Sequence, residues 1–154
     1  MKMSSPSGAE LVESIVIPAS AQTVWDAVVD WPGQRDWMLL TDVRATTEQT
    51  TGVGTQLAAF TGVGKLGFLD TMTVTEWEAP KRCVVLHTGR VVRGSAAFEV
   101  EAINDSSSRF IWTEWIDLPF GALGRLGWPL ARPFVAWGVR YSLRRLRRVV
   151  AATS

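Results

Sequence analysis

Residue types that build common functional sites are scarce in this sequence. It contains one cysteine, Cys83, which excludes an intramolecular disulfide and any metal site made of several cysteines. It contains one histidine, His87, which excludes a metal site built on several imidazoles. The GxSxG motif of a serine nucleophile is missing. We therefore predict no metal and no cofactor, and the single cysteine favours a reducing, cytoplasmic compartment.

Acidic residues are missing from the C-terminal part of the chain. Seven of the sixteen basic residues follow Asp117, whereas all fifteen acidic residues lie at or before it. This asymmetry is typical of a nucleic-acid or anionic-membrane surface, but also of a helix whose arginines complement its macrodipole. The arginines lack interleaved aromatic residues and the net charge is only +1, so we predict no nucleic-acid partner. Peripheral contact with an anionic membrane through this arginine-rich helix stays open.

An uninterrupted apolar run long enough to cross a bilayer is also missing, since such a run needs about twenty residues. The most apolar segment, "LGWPLARPFVAWGVRYSLRRLRRVV" (126–150), contains Arg132 and ends in a group of arginines. Its spacing predicts an amphipathic helix over 120–151. We expect Pro129 and Pro133 to place the regular start of the helix near residue 129 or 133, or else to kink it.

Strand patterns dominate the chain before this helix. "ELVESIVIP" (10–18) alternates and is β-branched, which predicts a strand. A short helix follows, with Ser20 as its N-cap and Pro32 as its stop. From there to residue 117 the apolar residues recur with a period of two, and six strands with short connections indicate an antiparallel meander. These strands are predicted over 42–50, 55–61, 67–77, 82–90, 92–103 and 109–117.

The domain organisation follows from where the first predicted strand begins and where the last predicted helix ends. The first nine residues are small and polar, which predicts a flexible tail over 1–9. No repeat or linker divides the remainder, so residues 10–151 are predicted to form a single domain.

Three segments carry a resemblance to a known family. The sequence resembles the START-like superfamily, and within it the polyketide cyclase/dehydrase and lipid-transport group. The resemblance covers residues 10–150 and rests on "VIPASAQTVWDAVVDWPGQRDWM" (16–38), "VTEWEAPKRCVVLHT" (74–88) and "FIWTEWIDLPFGALGRLGWPLARP" (110–133).

The resemblance implies an α+β helix-grip fold, in which a curved seven-stranded antiparallel sheet wraps around a long C-terminal helix. It also implies an apolar cavity between sheet and helix, and hence binding or carriage of a hydrophobic small molecule such as a lipid, an isoprenoid or an aromatic polyketide. Two alternatives stay open: a polyketide cyclase/aromatase-like enzyme that uses a cavity carboxylic acid, and an interaction protein that binds a partner or membrane surface through its basic helix.

Strand periodicity selects the side chains that would face such a cavity. One face of strand 67–77 carries two apolar and two acidic residues. On the last strand Phe110, Trp112, Glu114 and Ile116 share a face, and the opposite set, from Ile111 to Asp117, is not excluded by period alone. Similarity to aromatase/cyclases favours the first set, because their cavity aromatics match Trp112 and Phe98. The faces of strand 82–90 stay undetermined. The predicted ligand-binding residues are Met72, Val74, Phe98, Trp112, Leu130, Phe134, Trp137 and Tyr141.

Three acids are candidate catalytic or anchoring groups: Glu114, Glu76 and Asp70. If all three face an apolar cavity, desolvation and mutual repulsion would raise the pKa of at least one. Those cyclases have an arginine where this chain has Glu76, and a tyrosine near the position of Met38, so the resemblance leaves the catalytic residues unassigned. His87 lies near a strand end, and we interpret it as an ordinary hydrogen-bonded or exposed histidine rather than a catalytic base.

Overall fold

Seven strands and two α-helices make up residues 8–118 and 121–153, which the computed structural model describes. The strands are β1 (Gly8–Ile17), β2 (Thr41–Ala45), β3 (Gln56–Val63), β4 (Leu66–Glu78), β5 (Arg82–His87), β6 (Gly94–Asn104) and β7 (Ser107–Asp117). The helices are α1 (Ala21–Val28) and α2 (Ala122–Thr153), and a 3₁₀ helix spans Pro32–Asp36.

The strands form one antiparallel sheet in the order β1-β7-β6-β5-β4-β3-β2. β2 to β7 follow one another as a meander, and β1 pairs with β7, so the first and last strands are neighbours. The curved sheet and the long C-terminal helix confirm the predicted α+β helix-grip fold.

The predicted end of the flexible tail, residue 9, is wrong, because the first strand already begins at Gly8. Gly8 pairs with Asp117 and Ala9 with Ile116, so the ladder between β1 and β7 fixes both residues. Residues 1–7 of the predicted tail, and Phe120 at the predicted helix start, lie outside the described residues.

Helix α1 begins where its cap predicts. The Ser20 side chain accepts a hydrogen bond from the Thr23 amide at 3.2 Å, which satisfies one of the free N–H groups of the first turn. Its buried face consists of Val24, Trp25 and Val28. The helix ends before the 3₁₀ helix that Pro32 opens, and this pair covers one end of the sheet's inner face.

A β-bulge in β4 changes the alternation that the sequence predicts. The register shifts between Val74 and Glu76, so Thr75 and Glu76 together oppose one residue of β5. Beyond the bulge Trp77 packs on the inner side, 5.1 Å from Trp25 between ring centroids. The prediction that Glu76 faces the cavity is therefore wrong.

Helix α2 begins seven residues before the first proline inside it. The prediction that the regular helix begins near residue 129 or 133 is wrong, since α2 runs from Ala122 through Pro129 and Pro133. Each proline removes one N–H donor and crowds the carbonyl four residues earlier, yet the helix continues on either side of both. Within the described residues no helix is long and apolar enough to cross a membrane.

The face of α2 that packs on the rest of the protein is not the one that carries the predicted ligand-binding residues Leu130 and Phe134. Leu130 is 76% exposed and Phe134 79%, and no residue between 121 and 135 is buried. The helix packs from Ala136 onwards, and two exposed contacts join it to flanking elements: Arg140 pairs with Glu13 at 3.0 Å, and Arg145 donates to the Asp36 carbonyl at 2.9 Å. The buried face consists of Ala136, Val139, Ser142, Leu143, Leu146 and Val150.

Candidate ligand-binding cavity

A cavity of about 150 Å³ lies on the inner face of the sheet, beside the 3₁₀ helix. Its walls are mainly apolar side chains of β2 to β7, together with Trp31, Gln34 and Met38 from the segment after α1. Three of the predicted ligand-binding residues, Met72, Phe98 and Trp112, line it.

The other predicted ligand-binding residues lie elsewhere. Val74 is 1% exposed and belongs to the hydrophobic core beside the cavity. The four residues predicted on α2 are absent from the cavity lining. Trp137 and Tyr141 stack on each other with ring centroids 5.6 Å apart, and the guanidinium of Arg145 lies 5.9 Å from the Tyr141 ring. Leu130 and Phe134 lie on the exposed side of the helix.

Two of the three candidate acids enter the cavity and the third does not. Asp70 and Glu114 line it, with side chains that are 13% and 16% exposed. Glu76 lies on the outer surface, where it forms an ion pair with Arg82 at 3.1 Å. The β-bulge before it accounts for this position.

His87 lies between the two cavity acids. Its Nδ1 is 3.0 Å from Oδ1 of Asp70, and its Nε2 is 3.3 Å from Oε2 of Glu114. The imidazole is only 5% exposed. The other carboxylate oxygen of Glu114, Oε1, accepts a hydrogen bond from the indole N–H of Trp112 at 2.8 Å. We call Asp70, His87 and Glu114 the charged triad of the cavity.

The register of three strands brings this triad together. His87 ends β5 directly opposite Met72, and Asp70 is the next residue along β4 on the same face. Glu114 lies on β7, opposite Ala96 of β6, so β6 separates it from β5. Because β6 carries only Gly94 and Ala96 at this level, the imidazole can reach across that strand to β7.

The charge of His87 follows from these contacts. Burial lowers the pKa of the imidazole, but hydrogen bonds to Asp70 and Glu114, together with their negative charges, outweigh burial and raise it to about 9. At neutral pH the ring is therefore protonated and both N–H groups donate. With both carboxylates ionised the triad carries a net charge of −1.

Cys83 also lines the cavity, as a neutral thiol. It is 3% exposed, and burial raises its pKa to about 12. A thiol at that pKa is a poor nucleophile near neutral pH, and Cys83 belongs to the hydrophobic core. Within residues 8–118 and 121–153, no group of three or more histidine, cysteine or acidic side chains is arranged to hold a metal ion.

The sequence alone does not predict the part that His87 plays in this site. Of the two predicted alternatives, a hydrogen-bonded or an exposed histidine, the first is confirmed, but its position in the cavity was not predicted. The faces of strand 82–90 were undetermined, and only the cross-strand register places His87 beside Asp70. One signal in the sequence could have pointed to this site: the only histidine lies at the end of a predicted strand, and the strand before it carries Asp70.

Comparison with known proteins identifies one matching family and several solved structures that share the fold. The family model described as polyketide cyclase/dehydrase and lipid transport matches residues 8–151. No curated protein is significantly similar in sequence.

Solved structures share the fold over nearly the whole chain. The protein TTHA0849 from Thermus thermophilus superposes with a TM-score of 0.79 at 17% identity, covering 95% of this chain and 99% of that one. The Zhui aromatase/cyclase from Streptomyces sp. R1128 superposes with 0.77 at 13% identity, covering 94% of each chain. A START superfamily protein from Mycobacterium smegmatis gives 0.76 at 11% identity, covering 94% of this chain and 99% of that one. At these identities the likeness establishes the fold alone.

Proposed function

The chain belongs to the polyketide cyclase/dehydrase and lipid-transport family, and from this premise we propose that it binds a small hydrophobic molecule in the cavity above the sheet. The observation that carries the proposal is an apolar cavity of about 150 Å³ with a charged triad in its wall. Apolar walls contribute binding energy, and a few convergent polar groups fix the orientation of the ligand. A cytoplasmic location belongs to the same proposal.

The residues proposed to contact the ligand are those that line the cavity. Met72, Phe98 and Trp112 supply apolar surface, and Asp70 and Glu114 anchor its polar group. Phe98 and Trp112 lie edge to face with ring centroids 5.3 Å apart, so both rings are held in position before a ligand arrives. A preordered site loses less conformational entropy on binding.

Substitution of Trp112 tests the proposal, because β7 supplies a matched control. Trp115 lies three residues further along the same strand on the outer face, where its indole N–H donates to Glu10 at 2.9 Å. We expect Trp112→Phe to weaken the binding of toluene or phenol in calorimetry and Trp115→Phe to leave it unchanged. Equal affinity in both variants would remove Trp112 from the site. Native mass spectrometry of protein purified from its own host would identify the natural ligand.

An acid–base enzyme is the second candidate, and the position of His87 between two carboxylates favours it. With a pKa of about 9, the imidazole becomes a free base only above that pH. Proton abstraction next to a carbonyl would then accelerate as pH rises through about 9. Deuterium exchange at the methyl group of acetophenone, followed by NMR, tests this. A binder gives no exchange above the solvent rate, whereas an enzyme gives saturable exchange that His87→Gln abolishes.

A peripheral membrane contact is a further proposal, and the outer face of α2 favours it. Leu130, Phe134 and Trp137 are 76%, 79% and 56% exposed and share this face. At 100° per residue Arg144 and Arg148 continue the same face towards the C-terminus. Apolar anchors followed by cations are typical of helices that lie in the surface of an anionic bilayer. A second copy of this chain, packed in parallel on this face, would instead bring arginines towards arginines.

Vesicle sedimentation tests the membrane proposal. We expect binding to phosphatidylcholine vesicles that contain phosphatidylglycerol, a decrease with added salt, and loss in a Leu130→Ser, Phe134→Ser double variant. Binding that is equal on pure phosphatidylcholine would contradict the charge argument. A concentration-dependent dimer in analytical ultracentrifugation, abolished by the same variant, would assign the face to a second copy.

A further inference from the structure

The imidazole and indole donors that line the cavity are already engaged within the protein. His87 donates both N–H groups to the triad carboxylates, and Trp112 donates to Glu114. The indole N–H of Trp31 donates to the Thr50 carbonyl at 2.7 Å. These donors therefore have no N–H left for a bound molecule.

The hydroxyl groups of the lining follow the same rule, and the amide of Gln34 follows it in part. Its Nε2 donates one of its two N–H groups to the Val28 carbonyl at 2.7 Å, and Gln34 is 3% exposed. Thr41 donates its hydroxyl proton to the Leu39 carbonyl at 2.9 Å, so Thr61, 3.1 Å from Thr41, donates to that hydroxyl. The proton of each threonine hydroxyl is thus used within the protein.

Acceptors remain free in the same cavity. The second oxygen of Asp70, Oδ2, makes no hydrogen bond within the described part of the chain, although Oδ1 bonds to His87. Ionised carboxylates only accept, and each offers about four lone-pair positions. The net charge of −1 on the triad also repels an anion. Polar recognition by the triad is therefore one-sided, with acceptors and negative charge facing the ligand.

One buried donor without a partner lies close to this site but outside it. The indole N–H of Trp37 has no hydrogen-bond partner among the described residues. Trp37 packs against Phe98, Phe110 and Trp112, and it does not belong to the cavity lining. It leaves the excess of acceptors at the cavity wall unchanged.

We propose that the ligand is a molecule of about one ring whose polar group donates hydrogen bonds to Asp70 and Glu114: a phenol, an alcohol or an amine. The inference rests on the proposed binding function and specifies its ligand class. The size follows from the volume of about 150 Å³, since an apolar protein cavity of that size accommodates benzene. A ketone or a carboxylate of the same size fits the space but offers only acceptors to the triad.

A panel of one-ring probes tests the inference on the unmodified protein. Calorimetry at neutral pH would measure toluene, phenol, benzylamine, acetophenone and benzoate. We expect phenol and benzylamine to bind about tenfold or more tightly than acetophenone and benzoate, because charge-assisted hydrogen bonds are strong and an unpaired buried acceptor is costly. Toluene reports on the apolar cavity without polar recognition.

The outcomes separate this inference from the binding function. If acetophenone or benzoate binds as tightly as phenol, the donor requirement is overturned while the cavity remains a binding site. If none of the five probes binds, including toluene, both the inference and the proposed function fail.

An Asp70→Asn variant provides a second test. It keeps the shape of the side chain but replaces one carboxylate oxygen by an NH₂ donor and removes a negative charge. We expect the preference for phenol over acetophenone to fall by about tenfold. Glu48→Gln removes the same charge from an exposed residue on the loop after β2, and it should leave the preference unchanged. An unchanged preference in a folded Asp70→Asn protein would contradict the assignment to Asp70, and a Glu114→Gln variant decides the case if Asp70→Asn does not fold.

Discussion

The proton on His87 links the cavity to the stability of the fold. The pKa of this imidazole is about 9 in the folded protein, against 6.5 for the isolated group. Because the folded-state pKa is the higher one, protonation stabilises the native state, fully below about pH 6.5. The contribution declines as pH rises and is lost above about 9. Its upper limit, from the difference between the two pKa values, is about 3 kcal/mol.

We therefore expect the free energy of unfolding to fall between about pH 6.5 and pH 9 in the native sequence and to stay flatter over that range in His87→Gln. Urea denaturation at a series of pH values measures the difference. Because the sequence has a single histidine, NMR of the imidazole also gives its pKa without assignment ambiguity. A His87 pKa near its ordinary value would contradict the two hydrogen bonds to carboxylates.

Glu76 and Glu114, both predicted from the sequence as cavity acids, should respond differently to the same substitution. Glu76→Gln breaks an ion pair at the surface, where the glutamate side chain is 57% exposed, and should change stability by about 0–1 kcal/mol. Glu114→Gln removes a charge that faces a buried imidazolium, and should cost about 1–3 kcal/mol and lower the pKa of His87. Urea denaturation and the histidine titration measure both effects, and equal behaviour of the two variants would contradict the orientation of β7.

At the scale of elements, the sequence predicts the strands well and the cavity wall only in part. Alternation correctly places Asp70, Met72 and Phe98 on the inner face, because each lies on a regular stretch of strand. For Glu114 alternation left both faces open, and the resemblance to aromatase/cyclases selected the inner one. Alternation fails at Glu76, since a bulge adds one residue and reverses the alternation beyond it. A period of two contains no information about where such an extra residue lies.

Helix α2 shows a second limit of periodicity. Leu123, Leu126, Leu130 and Phe134 form a continuous apolar stripe, and a helix with one apolar face is expected to bury it. The chain has a second apolar set on nearly the opposite face, which includes Leu143. Contacts with β1 and the 3₁₀ helix bury that second set. A hydrophobic pattern shows that a face is apolar, but not what covers it.

The same substitution on the two faces of α2 tests this orientation. Leu143→Ala removes a side chain that is 2% exposed and should cost about 2–5 kcal/mol of unfolding free energy. Leu130→Ala changes a residue that is 76% exposed and should stay within about 0.5 kcal/mol. Alanine favours helix in both cases, so helix propensity affects the two variants similarly. A large loss of stability for Leu130→Ala alone would mean that the stripe packs on the protein.

At the scale of the whole molecule, the core and the cavity share the inner face of the sheet. The ladder between β1 and β7, the face of α2 from Ala136 onwards and helix α1 supply part of one hydrophobic core, which continues onto the inner faces of β2 to β6. Core residues such as Val43, Leu57 and Cys83 also line the cavity, with the triad in its wall. The resemblance to a known family predicts this architecture, but the triad depends on the registers of three strands, which the resemblance does not supply.

NMR of the His87 imidazole during a titration with phenol tests the central claim most directly, because the sequence provides one histidine and the structure places it in the cavity wall. If the cavity binds a small apolar molecule, the imidazole signals shift with saturation, and nuclear Overhauser effects connect them to the ring protons of phenol. Imidazole signals that stay unchanged at millimolar phenol and millimolar toluene would contradict the claim that this cavity is the binding site.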